Sequence, residues 1–246
     1  MRYRRAVERL RMLAQACEQT RRVPADEPFL REAYVFGDLL EGADPIETIE
    51  VAFVLNLPPE DVSWGSHPPG TAWLVDFLRL DKGGIAYWWR SHLDPVANHL
   101  IREPVRFWSL AGIEPGVLEA LAERRFDSAR EQTTAVRRPP AQVEAELKTT
   151  LDHLRSVHAA YWDRQWRREH RGLGRYPEHH LWEAAQGYLE LLDEHAGRAE
   201  RGERAERGER AERGERAERG ERDERDGFDG RDERDGSGRS DKRDEG

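Results

Sequence analysis

Two carboxylates, Asp38 and Glu50, stand at the ends of two short apolar runs, residues 33–36 and 49–55, joined by a glycine-containing turn. Acids presented from neighbouring strand ends are the usual way to hold Mg²⁺ for phosphoryl or nucleotidyl transfer, because anionic oxygens replace the ion's water and offset its charge. The companion positions that such chemistry needs hold Thr48 and Arg106 instead of acids. Three arginines, Arg90, Arg102 and Arg106, are the best candidates for contacting an anion, since a guanidinium fork at a strand end suits phosphate or carboxylate. His179 and Glu183 are four apart on a helical stretch, a spacing that lets two side chains share one metal ion.

The elements that must position these groups can be read from periodicity. Tyr3, Val7, Leu10, Ala14 and Cys17 recur at steps of four and three and predict an amphipathic helix. Cys17 on that face reads as a small core residue, since no histidine is placed beside it. Residues 33–36, 49–55, 85–89 and 105–110 are rich in β-branched and aromatic side chains and bounded by Gly, Asp or Pro, which predicts strands. Residues 71–80 and 115–125 predict helices between them, with Trp73, Leu74, Phe77 and Leu78 inward in the first and Val117, Leu118 and Leu121 inward in the second.

Interleaving of this kind predicts an α/β or α+β unit with a mixed sheet of about four strands covered by helices. Strand order is not legible. Arg137-Arg138-Pro139-Pro140 breaks the chain, and Leu147, Leu151, Leu154, His158, Tyr161 and Gln165 then mark one stripe of a long helix ending near Arg171. Gly172 and Gly174 turn the chain into a further helix with Leu181, Ala185, Tyr188 and Leu192 inward. The expected division is an α/β domain over residues 1–136, a helical hairpin packed on it over 137–196, and a charged tail over 197–246.

In that tail the hexapeptide AERGER occurs four times before the text degrades into Asp, Gly, Arg and Ser. With so few apolar residues nothing offsets chain entropy, so disorder is expected. Glu-to-Arg i,i+4 pairs give at best a nascent helix, because each Gly costs about 1 kcal/mol against Ala.

The 246 residues carry a formal charge of −9, and neither body nor tail has a basic excess, which disfavours general nucleic-acid binding. A single cysteine excludes an intrachain disulfide and a cysteine-based structural zinc site. The N-terminal stretch breaks every apolar run with charge, and no segment approaches the length of a bilayer-spanning helix. A cytoplasmic protein with no membrane association is expected. Eight tryptophans, several beside arginine as in Trp88-Trp89-Arg90 and Arg106-Phe107-Trp108, are expected to fill the seam between sheet and helices with arginine at the rim.

The segment Gly37-Asp38-Leu39-Leu40-Glu41-Gly42, followed by Thr48-Ile49-Glu50-Val51, is similar in spacing to the nucleotidyltransferase-fold signature over residues 34–55. In that resemblance Gly37 and Gly42 match, Asp38 stands for a serine, Thr48 for the first aspartate and Glu50 for the second. The wider pattern of FGDLLEG, FLRLDKG, YWWRS, PVRFWSL and YWDRQWRREHRG resembles a bacterial, actinobacterial-type domain family of unknown function over residues 1–195.

These readings together predict a non-catalytic interaction or ligand-sensing module with a degenerate nucleotidyltransferase-like core, no cofactor, and a possible protein partner. The alternative is a metal-dependent nucleotidyltransferase or phosphohydrolase using Asp38 and Glu50 with Mg²⁺.

Overall fold

Strand β2, Ile49–Leu55, is an inner strand of the sheet, and its alternation explains the layers on either side of it. Ile49, Val51, Phe53 and Leu55 enter one apolar cluster, while Ala52 and Val54 enter another. Successive side chains of a strand point to opposite faces, so a run this apolar has to be covered on both. The computed structural model describes residues 1–24, 26–68, 70–132, 141–172 and 176–228, with side chains as far as 201 and at 204.

Five strands form one mixed sheet: β1 Leu30–Phe36, β2, β3 Ile85–Ser91, β4 Val105–Ser109 and the two-residue β5 Gly112–Ile113. Their order is β3-β2-β1-β4-β5. β1 is antiparallel to β2 and to β4, β4 is antiparallel to β5, and β2 and β3 run parallel. The mixed α/β reading therefore holds, with β5 added to the four strands expected.

Helix α1, Tyr3–Thr20, covers one face, and Tyr3, Val7, Leu10, Ala14 and Cys17 are all buried there as their spacing predicts. The Tyr3 hydroxyl donates to the Leu121 carbonyl at 2.6 Å, tying α1 to α4, Pro115–Ala122. Val117, Leu118 and Leu121 of α4 face inward as expected. The one-turn helix α2, Asp38–Glu41, follows β1, α3, Thr71–Phe77, lies between β2 and β3, and α5, Phe126–Glu131, follows α4.

Three helical faces differ from the sequence reading. In α3, Leu74 is buried and Leu78 beyond it is too, but Trp73 and Phe77 are 38% and 44% exposed. Their rings meet edge-on at 6.0 Å on the outer side. The expected long helix is two: α6, Gln142–Ala160, and α7, Arg164–Glu169. Asp163 starts the second by accepting a hydrogen bond from the Trp166 N–H at 2.7 Å, an N-cap that competes with continuing the first.

The buried side of α6 carries Gln142, Val143, Glu146, Thr150 and Val157, leaving the predicted leucine stripe half-buried. Arg90 and Glu146 cause this rotation, as shown below. In α8, Pro177–Phe228, the described buried positions are Pro177, Ala184, Gly187 and Leu191, the last three one residue round from the predicted stripe.

Contacts divide the chain into a unit Met1–His195 and a second unit Ala196–Gly246. The second contributes helical backbone as far as Phe228, and none of its described side chains is buried. Its composition leaves only i,i+4 Glu–Arg pairs to hold such a helix. Arg137 to Pro140 and Gly174 lie outside the described residues. Among the described residues no helix is long and apolar enough to cross a membrane.

Candidate functional site

The turn after β1 is set by a close approach of backbone to carboxylate. Gly37 has φ +67°, a conformation that favours glycine, and a β-carbon there would displace the Glu50 carboxylate. The pairing of Phe36 with Glu50 brings the two strand ends side by side. The Asp38 N–H then donates to Glu50 Oε2 at 3.2 Å. Gly42, at φ +72°, ends α2, and a β-carbon there would press on the Phe126 ring at 2.8 Å.

A cleft of about 450 Å³ opens beside this turn. Phe36, Asp38, Glu41 and Glu50 line it from β1, α2 and β2, and Arg102, Glu103 and Arg130 line it from later segments. Burial pushes the Glu50 carboxyl up from its ordinary range, and the negative charges of Asp38 and Glu41 push the same way, while the Asp38 N–H opposes them. Glu103 has φ +45°, a left-handed conformation uncommon outside glycine. A second hollow of about 470 Å³ shares Leu40, Glu41 and Arg130 with the cleft and is walled by Arg124, Arg125 and Phe126.

The predicted site residues are therefore brought together only in part. Asp38, Glu50, Gly37 and Arg102 meet at the cleft; Arg102 also donates from Nε to the His99 carbonyl at 3.2 Å. Thr48 and Gly42 are not among its lining residues.

Arg90 is placed differently. Its side chain is 3% exposed and donates to Glu146 Oε1 at 2.5 Å and to the Pro95 carbonyl at 2.8 Å, so it anchors α6 and does not reach an outside anion. Arg106 is engaged by Glu32 and Glu114, each at 3.2 Å, beside Tyr34 on the next strand. Both arginines are committed to carboxylates of the chain itself, which corrects their reading as anion contacts.

His179 and Glu183 also part. His179 Nδ1 accepts from the Tyr176 N–H at 3.4 Å, whereas Glu183 Oε2 lies 3.4 Å from His67 Nδ1. The i,i+4 spacing is real, but Glu183 is drawn to a histidine far away in sequence. Among the described residues no three His, Cys, Asp or Glu side chains group so as to hold a metal ion.

The tryptophans divide as well: Trp64, Trp89 and Trp108 are core residues, while Trp162 and Trp182 are exposed. Arg130 and Glu41 were not singled out by sequence reasoning. Glu41, three residues after Asp38 in a predicted turn, carried a usable signal; Arg130 sits on a short helix that periodicity does not reveal.

Residues 1–197 match the model of a family described as a domain of unknown function (DUF7711). This agrees with the resemblance seen over residues 1–195. None of the curated proteins matches the chain. Among solved structures, the chain is similar to a proposed nucleotidyltransferase from Sulfolobus solfataricus, with a TM-score of 0.27 and 20% identity, covering 46% of this chain and 95% of that one.

Proposed function

The chain belongs to that family of unknown function, so its activity has to be read from its own residues, and we propose that it is a non-catalytic ligand-sensing module built around the cleft at the end of β1. The observation that carries this reading is the state of Glu50. Its carboxylate accepts the Asp38 N–H under the Gly37 turn, and burial together with two neighbouring acids pushes its pKa up. A carboxylate with one oxygen already engaged by a backbone N–H suits orienting a ligand better than bridging two divalent cations.

The residues present fit Mg²⁺ poorly. Transfer chemistry with a metal wants several ionised oxygens converging, and here Thr48 takes an acid's place in the motif while Arg106 is held by Glu32 and Glu114. The cleft instead offers acids near Glu50 and the guanidinium of Arg102, with Arg130 beside it paired to Glu103 and Asp127, a lining suited to a small molecule with groups of both signs.

The test is binding against turnover. Labelled nucleoside triphosphates are incubated with the full chain, with and without Mg²⁺ or Mn²⁺, and both bound and converted label are counted. Saturable binding without conversion, lost in the Asp38→Ala, Glu50→Ala double variant, is expected. Metal-dependent incorporation or release that disappears in the same variant would establish the competing transferase or phosphohydrolase reading.

A further inference from the structure

Helix α8 has a second apolar side, turned away from the body it packs on. Ala184, Gly187 and Leu191 are buried, and a β-carbon on Gly187 would run into the Trp64 carbonyl, so that side is the docked one. Trp182, Ala185, Leu189 and Leu192 recur at steps of three and four and make a stripe of their own. At about 100° per residue it stands about 150° round the helix from the buried one. Trp182 and Leu189 are 69% and 55% exposed, and Leu192 is 37% exposed.

Trp162 widens the patch. The Tyr161 hydroxyl and Arg167 both donate to Glu178 Oε1, at 3.3 and 2.8 Å, and the Arg167 guanidinium lies over the Tyr161 and Trp162 rings, 4.9 and 5.9 Å from their centroids. Glu178 is one turn before Trp182, so these contacts bring the Trp162 ring, 80% exposed, to the same end of the stripe. A complete tryptophan side chain offers about 250 Å², and these two rings leave roughly 370 Å² of it in water. An apolar patch of that size, enlarged by two leucines, marks a docking surface.

Charge narrows what covers it. Residues 177–195 hold five acids and no Lys or Arg, the opposite of what seats a helix on an anionic lipid surface. Glu183 turns to His67 and Glu190 to the Trp64 indole N–H, both on the docked side, and Glu178 is paired with Arg167. Asp193 flanks the stripe.

A second copy of the chain fits this pattern. Two α8 helices laid antiparallel about a two-fold axis set Trp182 against Leu192 of the other copy, and Ala185 against its Leu189, so a large and a small side chain each meet one of middle size. In that register Gln186 faces its own counterpart. Asp193 faces His179 of the other copy, whose Nδ1 takes the Tyr176 N–H and whose Nε2 therefore keeps a proton to donate. The flanking positions bring no like charges together. Four tryptophans supply over half of the roughly 1,200 Å² at which specific interfaces begin, and the leucines and flanking residues extend it.

We propose that this face is a homodimer interface, in which two chains pair through antiparallel α8 helices with Trp182 and Trp162 as anchors.

The experiment is sedimentation equilibrium of the full chain between about 1 and 100 µM, which reports mass independently of shape. A closed pair is expected: the mass rises to twice 28.5 kDa and no further, with a Kd of about 10 µM or tighter. Trp182→Ala and Leu189→Glu should each weaken pairing at least about thirtyfold, the loss typical of a central anchor. Trp73→Ala, which removes an exposed tryptophan of α3, should leave it unchanged. Circular dichroism melting checks that the variants are folded, and Leu192→Glu replaces either that is not. Orientation is read by joining Gln186→Cys chains with a short bismaleimide, which antiparallel helices permit and parallel ones do not; the native Cys17 is buried and stays out of the reaction.

The proposal is overturned by a chain that stays monomeric at about 100 µM, by mass growing beyond the dimer, by unchanged pairing in the folded stripe variants, or by an absent Gln186→Cys cross-link. A monomer that sediments instead with phosphatidylcholine vesicles would also overturn it and give this face to a membrane.

Discussion

The buried ion pair that docks α6 gives the sharpest quantitative expectation. Arg90 and Glu146 are 3% and 8% exposed and meet at 2.5 Å. Removing the acid by Glu146→Ala leaves the guanidinium with the Pro95 carbonyl at 2.8 Å and the Trp64 ring at 5.9 Å, neither of which neutralises a charge. Gln142 suffers little, because its amide still donates to the Ala97 carbonyl at 2.8 Å. Asp94 acts on the same guanidinium and offsets part of its charge, so the cost falls in the lower part of the range for a broken buried pair, about 3–5 kcal/mol.

For a folded unit of this size each kcal/mol moves Tm by roughly 2–4 °C, so a fall of roughly 6–20 °C follows. Urea unfolding followed by tryptophan fluorescence measures the same loss as a lower midpoint. Replacing both partners, Arg90→Met with Glu146→Leu, removes the charge along with its counter-ion and should restore most of the stability. A Glu146→Ala protein destabilised by less than about 1 kcal/mol, or a double variant as unstable as the sum of the singles, would refute the argument.

Three more outcomes follow from geometry. Gly187→Ala gains about 1 kcal/mol of helix propensity but drives a methyl into the Trp64 carbonyl, an overpacking cost of typically 1–3 kcal/mol, so a net loss of thermal stability is expected and a gain would contradict the close contact. Glu50 binds its proton more tightly folded than unfolded, so its protonated form supports the fold at low pH and that support is lost as pH rises through its unfolded and then its folded pKa. Glu50→Gln should accordingly melt above the parent at pH 7, with the difference shrinking toward pH 4; a constant difference across that range would dismiss burial as the cause. Burial also pushes the Cys17 thiol up, so iodoacetamide should label it only on unfolding, and rapid labelling of native protein would contradict its place in the core.

Much of the fold was legible because burial imprints a period on the sequence. α1 and the four longer strands sit where Tyr3 to Cys17 and residues 33–36, 49–55, 85–89 and 105–110 place them. α6 was misread in its facing because its inward side is polar: Gln142, Glu146 and Thr150 do not register as a core stripe, though Arg90 makes that face the docking one. α8 was misread because Gly187 counts for nothing in a hydrophobic pattern while being the point of closest approach. The β1 turn was visible through Gly37 and Asp38, since neighbouring strands bring residues close in sequence together. The meeting of His67 with Glu183 and Tyr87 was not, because the three come from a loop, a distant helix and a strand, and only tertiary packing unites them.

The two margins of the sheet differ in a way that matters for solubility. β5 is only two residues long, which is too little backbone to seed pairing with another chain. β3, at the opposite margin, offers seven residues, and the segment around Gly65 to His67 together with α8 stands beside it. An exposed seven-residue border is what recruits foreign strands into aggregates, so loosening α8 there would make the molecule adhesive long before it unfolds.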